Sequence, residues 1–347
     1  MTRSALVPPT TDPTPIFEHF RGSYATELLT AAIAHFDLFG RLGDQSMSLT
    51  DLYALLGLEE RPGVVLSTAL RAMGYLQMVD GRVLATEIAR EHLAPSAEFE
   101  VAGYLGLAAN SPGVREMVDR LRTNRPAGAD AEGAAFIYRE GIDSVMEAAA
   151  SARRLTLSLA GRARNVAPHL ARVLDLRGAK TLLDVGAGSA IYAVACLQRF
   201  GHLDAIAWDR PEVLNVARES AEAYGVGDRL RLVSGDMFAD PVPSGADVIL
   251  LSNILHDWDV PECRALVGKL AEALPVGGRL VVHDVFLDDD HGGPLPIALY
   301  SASLYTLTEG RAYSAGEYRS WLEEAGLEAG EVRPTLVHCG ALVGAKP

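Results

Sequence analysis

The spacing of apolar residues changes part-way along this chain. In the first half they recur at helical intervals. Ile16–Phe39 sets Phe17, Phe20, Tyr24, Leu28, Ile33, Phe36 and Phe39 at roughly helical spacing and reads as one or two amphipathic helices. Ser48 caps a short helix that runs through Leu56 and is stopped by Gly57. Pro62 falls in the first turn of the next helix, which ends at Gly74. Leu76–Val79, the turn Asp80-Gly81 and Arg82–Ala85 then form a small hairpin. Val101–Ala109 and Val114–Leu121 are helical stretches separated by Ser111-Pro112-Gly113, and Asn124–Gly133 is a Pro/Gly/Ala-rich loop. A long helical pattern from about Ile142 to Ala160 bridges to the second half.

There the pattern becomes short unbroken apolar runs that alternate with helices. Thr181–Val185 has no polar alternation, as expected of a strand buried on both faces. Leu203–Trp208, Arg229–Val233, Asp247–Ser252 and Arg279–Phe286 follow as strands two to five. Helices are expected at Ile191–Phe200, Glu262–Leu274, Ile297–Leu307 and Ala315–Ala325, and a last strand near Thr335–Val343. Such alternation implies a parallel sheet, with ligands at the carboxyl ends of its strands.

With 347 residues the chain has room for two domains. It carries 31 basic against 45 acidic residues, a net charge of −14, which argues against a general nucleic-acid or anionic-membrane surface. The opening MTRSALVPPTTDPTP is polar and Pro-rich, so it reads as neither signal peptide nor anchor, and no apolar run approaches the roughly 20 residues of a spanning helix. The three cysteines, Cys196, Cys263 and Cys339, are scattered and odd in number, which fits a reduced, cytoplasmic setting.

Helix, turn, helix and hairpin in residues 48–85 spell a winged helix. A DNA reader would bring basic residues on the second helix, and Val64–Gly74 offers only Arg71 beyond the leading Arg61. A dimerisation and substrate-cover module is therefore preferred to a regulator. Phe136, Tyr138 and Met146 are candidates to line a substrate pocket, with core packing as the plainer alternative.

Chemistry centres on TLLDVGAGSA, residues 181–190. Gly186 and Gly188 allow a sharp turn and close approach to a ligand. The helix after the turn offers its N-terminal amides to that ligand. Asp209, ending the second strand, is placed to accept hydrogen bonds from ribose hydroxyls. Two cofactors remain, a nicotinamide dinucleotide and S-adenosylmethionine. The dinucleotide fingerprint wants Gly or Ala where Ile191 stands, which favours the second. In Gly235-Asp236-Met237-Phe238, an acid beside an apolar pair can bond an adenine amino group and sandwich its ring.

The series LDVGAGSA, AIAWD, SGDMF, NILHDWD, LPVGGRLVVHD and EYRSWLEEAGL resembles the small-molecule O-methyltransferases of the plant caffeate and bacterial antibiotic-tailoring type, over the whole chain. The resemblance implies a class I, Rossmann-like seven-stranded α/β sheet with an antiparallel last strand, behind a mostly α winged-helix domain that forms a homodimer. It implies a winged-helix dimerisation domain at 1–100, connector helices covering the active site at 101–170 and the S-adenosylmethionine domain at 171–347. It also implies cofactor contacts at Asp184, Gly186, Gly188, Asp209, Asp236 and Met237, with Ala190 replacing one usual glycine. His256 matches the histidine that takes the proton from a phenol, and Asp284 one of two acids that orient it. The second acid normally lies in a Gly-(Arg/Lys)-Glu-Arg-Thr run, but the chain reads Gly310-Arg311-Ala312-Tyr313-Ser314, with Ala312 in the acid's place.

That departure opens another expectation. If the last strand lies antiparallel to strand five, His256, His283 and His338 could converge as a three-imidazole site for Zn or Fe. The metal would chelate a 2-oxo acid and promote methylation at its C3, as the resemblance of VVHDVFLDDDHGGPLPIALYSASLYTLTEGRAYS and TLVHCG to a 2-oxo acid C-methyltransferase branch implies. Asp257 or Asp284 would then move the proton, with Arg139 or Arg311 on the carboxylate. Otherwise these are single histidines with separate roles, and His256 is the base for a phenolic or hydroxylated substrate.

Overall fold

The computed structural model describes residues 3–95, 97–125 and 149–347. They fall into two compact units. One gathers the described residues between 16 and 125 together with 287–314, and the other holds 3–15, 149–286 and 315–347.

In the helical unit the run expected as one or two helices is three: α1 (Thr14–Arg21), α2 (Ser23–Ala34) and α3 (Leu38–Leu42). Asp37, at φ 48°, breaks the last pair. Next come α4 (Leu49–Leu56) and α5 (Glu60–Ala72). The Ser48 hydroxyl accepts from the Asp51 amide at the start of α4, and Gly57 ends it at φ 68°. β1 (Leu76–Val79) and β2 (Arg82–Ala85) pair antiparallel as the wing. α6 (Glu87–His92), α7 (Ala102–Leu105) and α8 (Pro112–Thr123) follow. Leu28, Leu38, Leu66, Leu70, Met117 and Leu121 form the core with Ala302 and Tyr305. Each fully buried leucine contributes roughly 2 kcal/mol.

Ala302 and Tyr305 come from α13 (Leu295–Leu307), inside the stretch expected to belong to the cofactor domain. This helix buries residues on every side, so it has no solvent face to offer and joins the helical core. Arg61 fastens the segment. Its Nη1 donates to the carbonyls of Thr308 and Gly310, its Nε to Asn124 Oδ1, and its guanidinium lies over the Tyr305 ring. Arg71 pairs with Asp290 at 2.8 Å. The two basic residues that a DNA-reading helix would present are thus bonded inside their own unit.

In the sheet unit, α9 (Ala149–Val173) leads to β3 (Thr181–Val185), α10 (Ile191–Arg199), β4 (Asp204–Asp209), α11 (Pro211–Ala223), β5 (Leu230–Ser234), β6 (Val248–Ser252), α12 (Val260–Ala273) and β7 (Arg279–Val285). After α14 (Ala315–Glu324) come β8 (Glu328–Ala329), β9 (Arg333–Pro334) and β10 (Cys339–Ala345). The order is β5-β4-β3-β6-β7-β10-β8, with β9 also on β10. The first five are parallel, and β10 is antiparallel to β7 with His283 opposite Ala341. Six strands, β3 to β7 and β10, form the body of the sheet, and the two-residue β8 and β9 bring it to eight where seven were expected. The last strand starts at Cys339 and not near Thr335, because Val337 and His338 take left-handed backbone (φ 55° and 61°) and form a turn. No helix among the described residues is long and apolar enough to cross a membrane.

Candidate active site

The glycine turn lies between central strand β3 and α10. Gly186 has φ 62°, and a Cβ there would stand 2.4 Å from Ile254 Cδ1, so only glycine fits. Gly188, at φ 57°, donates its amide to Asp209 Oδ2 at 2.8 Å, and Arg210 donates its own to Asp209 Oδ1 at 2.7 Å. Ala190 keeps the left-handed shape of the glycine it replaces, φ 54°, at a cost of about 1 kcal/mol. The turn therefore survives the substitution.

Asp184 is fully buried beneath this turn, and its Oδ2 has no hydrogen-bond partner among the described residues. Burial, and then the charge of Asp209, hold its carboxyl well above the ordinary range. Burial also raises Asp209, against the amides of Gly188 and Arg210. An orphaned buried carboxylate oxygen is costly until a donor reaches it. A ligand carrying ammonium or hydroxyl donors suits two neighbouring acids. The residues present fit S-adenosylmethionine.

The loop after β5 is set by Asp236, whose Oδ1 accepts the amides of Phe238 (2.7 Å) and Ala239 (3.1 Å). Lys269 Nζ bonds the carbonyl of Met237 at 3.0 Å. Both loop residues are partly exposed, as a ligand-facing edge requires. At Gly235 a Cβ would stand 2.5 Å from Trp208 Nε1, so this loop crosses the β4 end without a side chain between them.

β6 runs into a short 3₁₀ turn, Leu255–Asp257, which carries His256. The Cys263 thiol of α12 donates to the Leu255 carbonyl at 3.1 Å and braces the turn. His256 is only 4% exposed, and its Nδ1 meets Asp284 Oδ1 at 2.6 Å. A carboxylate there accepts, so Nδ1 bears the proton and Nε2 the lone pair. Asp284 Oδ1 also takes the Val285 amide, and Asp284 Oδ2 takes the Tyr318 hydroxyl of α14 at 3.2 Å. Asp257 Oδ1 stands 3.6 Å from Nε2. Burial alone would lower the His256 pKa, but Asp284 and Asp257 together raise it above the ordinary value. Burial pushes Asp257 up to about 6, against the pull of His256.

The three histidines do not converge. His283 and Asp284 are consecutive on β7, so their side chains leave opposite faces of the sheet. Asp284 meets His256 and α14. His283 is fully buried on the other face, with Nδ1 2.7 Å from Ser252 Oγ, Nε2 3.2 Å from Thr335 Oγ1 and Tyr192 of α10 edge-on at 5.2 Å. Burial first, then Arg162, lower its pKa to about 3, so it is a neutral core histidine. The turn at Val337-His338 removes His338 from the strand that pairs with β7. Among the described residues no group of three or more His, Cys, Asp or Glu is disposed to hold a metal ion. The Zn or Fe site expected at His256, His283 and His338 is corrected accordingly, and metal-assisted C3 methylation of a 2-oxo acid loses the ligand set it required.

Two residues here were not among the sequence candidates. Tyr318 lies in EYRSWLEEAGL, where an aromatic at helical spacing reads as core, and it supplies the hydrogen bond that secures Asp284. Arg162 lies on α9 and bonds Asn253 Oδ1 at 2.7 Å. Arg311 and Ala312 belong to the helical unit, where Arg311 is buried over the Tyr313 ring. Arg139, Phe136, Tyr138 and Met146 lie outside the described residues.

A parallel sheet with a glycine cradle, an orphaned acid beneath it and a His–Asp pair on the neighbouring strand ends defines a class I methyltransferase. Residues 135–328 match the model of the O-methyltransferase domain family. The 3-hydroxy-5-methyl-1-naphthoate 3-O-methyltransferase of Streptomyces sahachiroi is 33% identical over 327 residues, 93% of this chain and 92% of that protein. The L-tyrosine C(3)-methyltransferase of Streptomyces lavendulae is 29% identical over 88% and 84% of the two chains. A crystal structure of an O-methyltransferase family 2 protein from Planctomyces limnophilus, in complex with apigenin, is 46% identical with a TM-score of 0.90, covering 100% of this chain and 99% of that one. The chain belongs to the O-methyltransferase family and is an S-adenosylmethionine-dependent methyltransferase.

The His256–Asp284 pair sets a pH dependence. A histidine whose folded pKa lies above its unfolded value contributes stability below the unfolded pKa and loses it as pH rises through the folded one. Asp284→Asn is expected to lower the His256 imidazole midpoint in an NMR titration, and to cost more stability at about pH 5.5 than at about pH 8.5. An unmoved midpoint would show that Asp284 does not act on His256.

Proposed function

We propose that this chain methylates a hydroxyl on an aromatic small molecule of secondary metabolism, with His256 as the general base. The observation that carries the reading is the buried Asp284–His256 pair, oriented with its basic nitrogen away from the carboxylate. The family match and the naphthoate-methylating relative support it.

S-adenosylmethionine, when bound, supplies an electrophilic methyl group. Asp184, Gly186, Gly188, Asp209, Asp236 and Met237 would hold it. Asp184 and Asp209 offer carboxylate acceptors, the glycines room, and the 236–237 loop an edge for the adenine. His256 Nε2 removes the hydroxyl proton and leaves an oxygen nucleophile. Asp284 stabilises the imidazolium that forms, and Tyr318 keeps Asp284 from turning away. Asp257, 3.6 Å from Nε2, is the one carboxylate on the His256 turn itself and stands in for the acid replaced by Ala312. Deprotonating a phenol also activates the adjoining ring carbon, so the product's methyl position has to be read directly.

The helical unit exposes Ile16, Phe20, Tyr104 and Leu107, each at least 70% accessible, which supports a homodimer formed through this unit. The three buried cysteines, Cys196, Cys263 and Cys339, all in the sheet unit, fit a reducing cytoplasm as thiols.

The test is methyl transfer from isotopically labelled S-adenosylmethionine to a panel of naphthols, hydroxynaphthoates and flavones, with the product assigned by NMR. A methyl on oxygen is expected, and His256→Asn should lose about 10²- to 10⁴-fold in kcat while cofactor binding by calorimetry is kept. Methyl on carbon only, or an undiminished His256→Asn variant, would overturn the reading. Sedimentation at micromolar concentration is expected to give a dimer, and a monomer would contradict the assignment of the helical unit.

A further inference from the structure

On the face of the sheet opposite Asp284, a polar network converges on the end of β6. Asn253, the first residue after the strand, has left-handed backbone at φ 56° and sits three residues before His256. Its amide donates to the His283 carbonyl at 2.9 Å. Its Nδ2 reaches Ser252 Oγ at 3.1 Å and Tyr192 Oη at 3.4 Å. Its Oδ1 accepts Arg162 Nη1 at 2.7 Å, while Arg162 Nη2 reaches Cys339 Sγ at 2.9 Å. One guanidinium fork thus ties α9, the β6 end and the first residue of β10. The next residue, Ile254, is the side chain that packs on Gly186. Whatever fixes Asn253 fixes both the floor of the glycine cradle and the approach to His256.

We propose that Arg162 is a positioning residue for His256, clamping the β6 end through Asn253 and keeping one fixed positive charge beside the turn that carries the imidazole. The proposal rests on His256 being the base. Asparagine is among the few residues with a Cβ that tolerate left-handed backbone, and the bond from Arg162 fixes which way its side chain points. Arg162 is suited to this because its planar fork fixes two partners at once and its charge is permanent.

Among the described residues, the charged and titratable groups around His256 include Asp257 on its own turn, Asp284 on β7 with Tyr318 of α14 behind it, Cys263 of α12 below the turn, and Arg162 of α9. Two carboxylates stabilise the imidazolium and Arg162 opposes them. Without it, the base would hold its proton to higher pH and be less available near neutrality.

Two variants separate charge from geometry. Arg162→Gln removes the charge, and Arg162→Lys keeps it but loses the fork. The His256 imidazole is titrated by NMR in each protein without substrate, beside the pH profile of kcat/KM. Arg162→Gln is expected to raise the imidazole midpoint by about half a pH unit or more, and to move the acid limb of kcat/KM in the same direction. Arg162→Lys should leave the midpoint in place but lower kcat by about tenfold, as a misplaced base does. A third variant, Asn253→Asp, keeps the bond to Arg162 and neutralises its charge, so its midpoint should also rise if it folds where Arg162→Gln does not. Unchanged midpoints in Arg162→Gln and Asn253→Asp, or equal shifts in Arg162→Lys and Arg162→Gln, would overturn the proposal. If the midpoint moves as expected but activity does not follow it, the failure lies with His256 as base and not with Arg162.

Discussion

The site depends on the two faces of a single strand. Consecutive residues of β7 point opposite ways, so His283 and Asp284 cannot serve the same centre. Asp284 takes the face that meets His256 and Tyr318, and all its acceptor positions that matter are filled by an imidazole, a hydroxyl and an amide. His283 takes the other face, closed between two hydroxyl groups and held neutral by burial. One side of the strand end becomes a buried imidazole–carboxylate pair. The other becomes a neutral hydrogen-bonded core under Asn253 and Arg162.

The same strand-end logic makes the cofactor cradle. β3 stops at Val185, and the backbone must turn without side chains at Gly186, where Ile254 from the neighbouring strand end already fills the space. That contact places the cradle next to the turn of His256. Asp184 remains beneath it with a buried oxygen that has no partner among the described residues. A folded protein keeps so unfavourable a group where a ligand offsets it, and the neighbouring Asp209 makes a donor-rich ligand the natural complement.

Much of this was legible in the chain. Strands β3 to β7 fall within about a residue of their expected bounds, because the inner parallel strands, buried on both faces, leave unbroken apolar runs; the edge strand β5 is partly exposed. That Asp209 and His256 stand at or just past strand ends was legible from the apolar runs before them. The start of β10 was not, because nothing in an apolar period announces that Val337 and His338 turn left-handed, and the three-histidine expectation rested on that strand. Tyr318 was hidden because a hydrogen-bonding tyrosine in an amphipathic helix has the same spacing as a packing one. Arg162 was hidden because a helical arginine ordinarily marks a solvated face. The placement of 287–314 in the helical unit was missed for a related reason. α13 is apolar all round and so has no periodicity to show which core it joins.

The most direct measurement of the central claim compares wild type with His256→Asn on two phenols of similar shape, one weakly acidic and one already ionised at the assay pH. If His256 removes the proton, the substitution costs much of the rate with the weak acid and little with the ionised one. An equal loss on both would contradict the account, since it would show that His256 shapes the site without acting as its base.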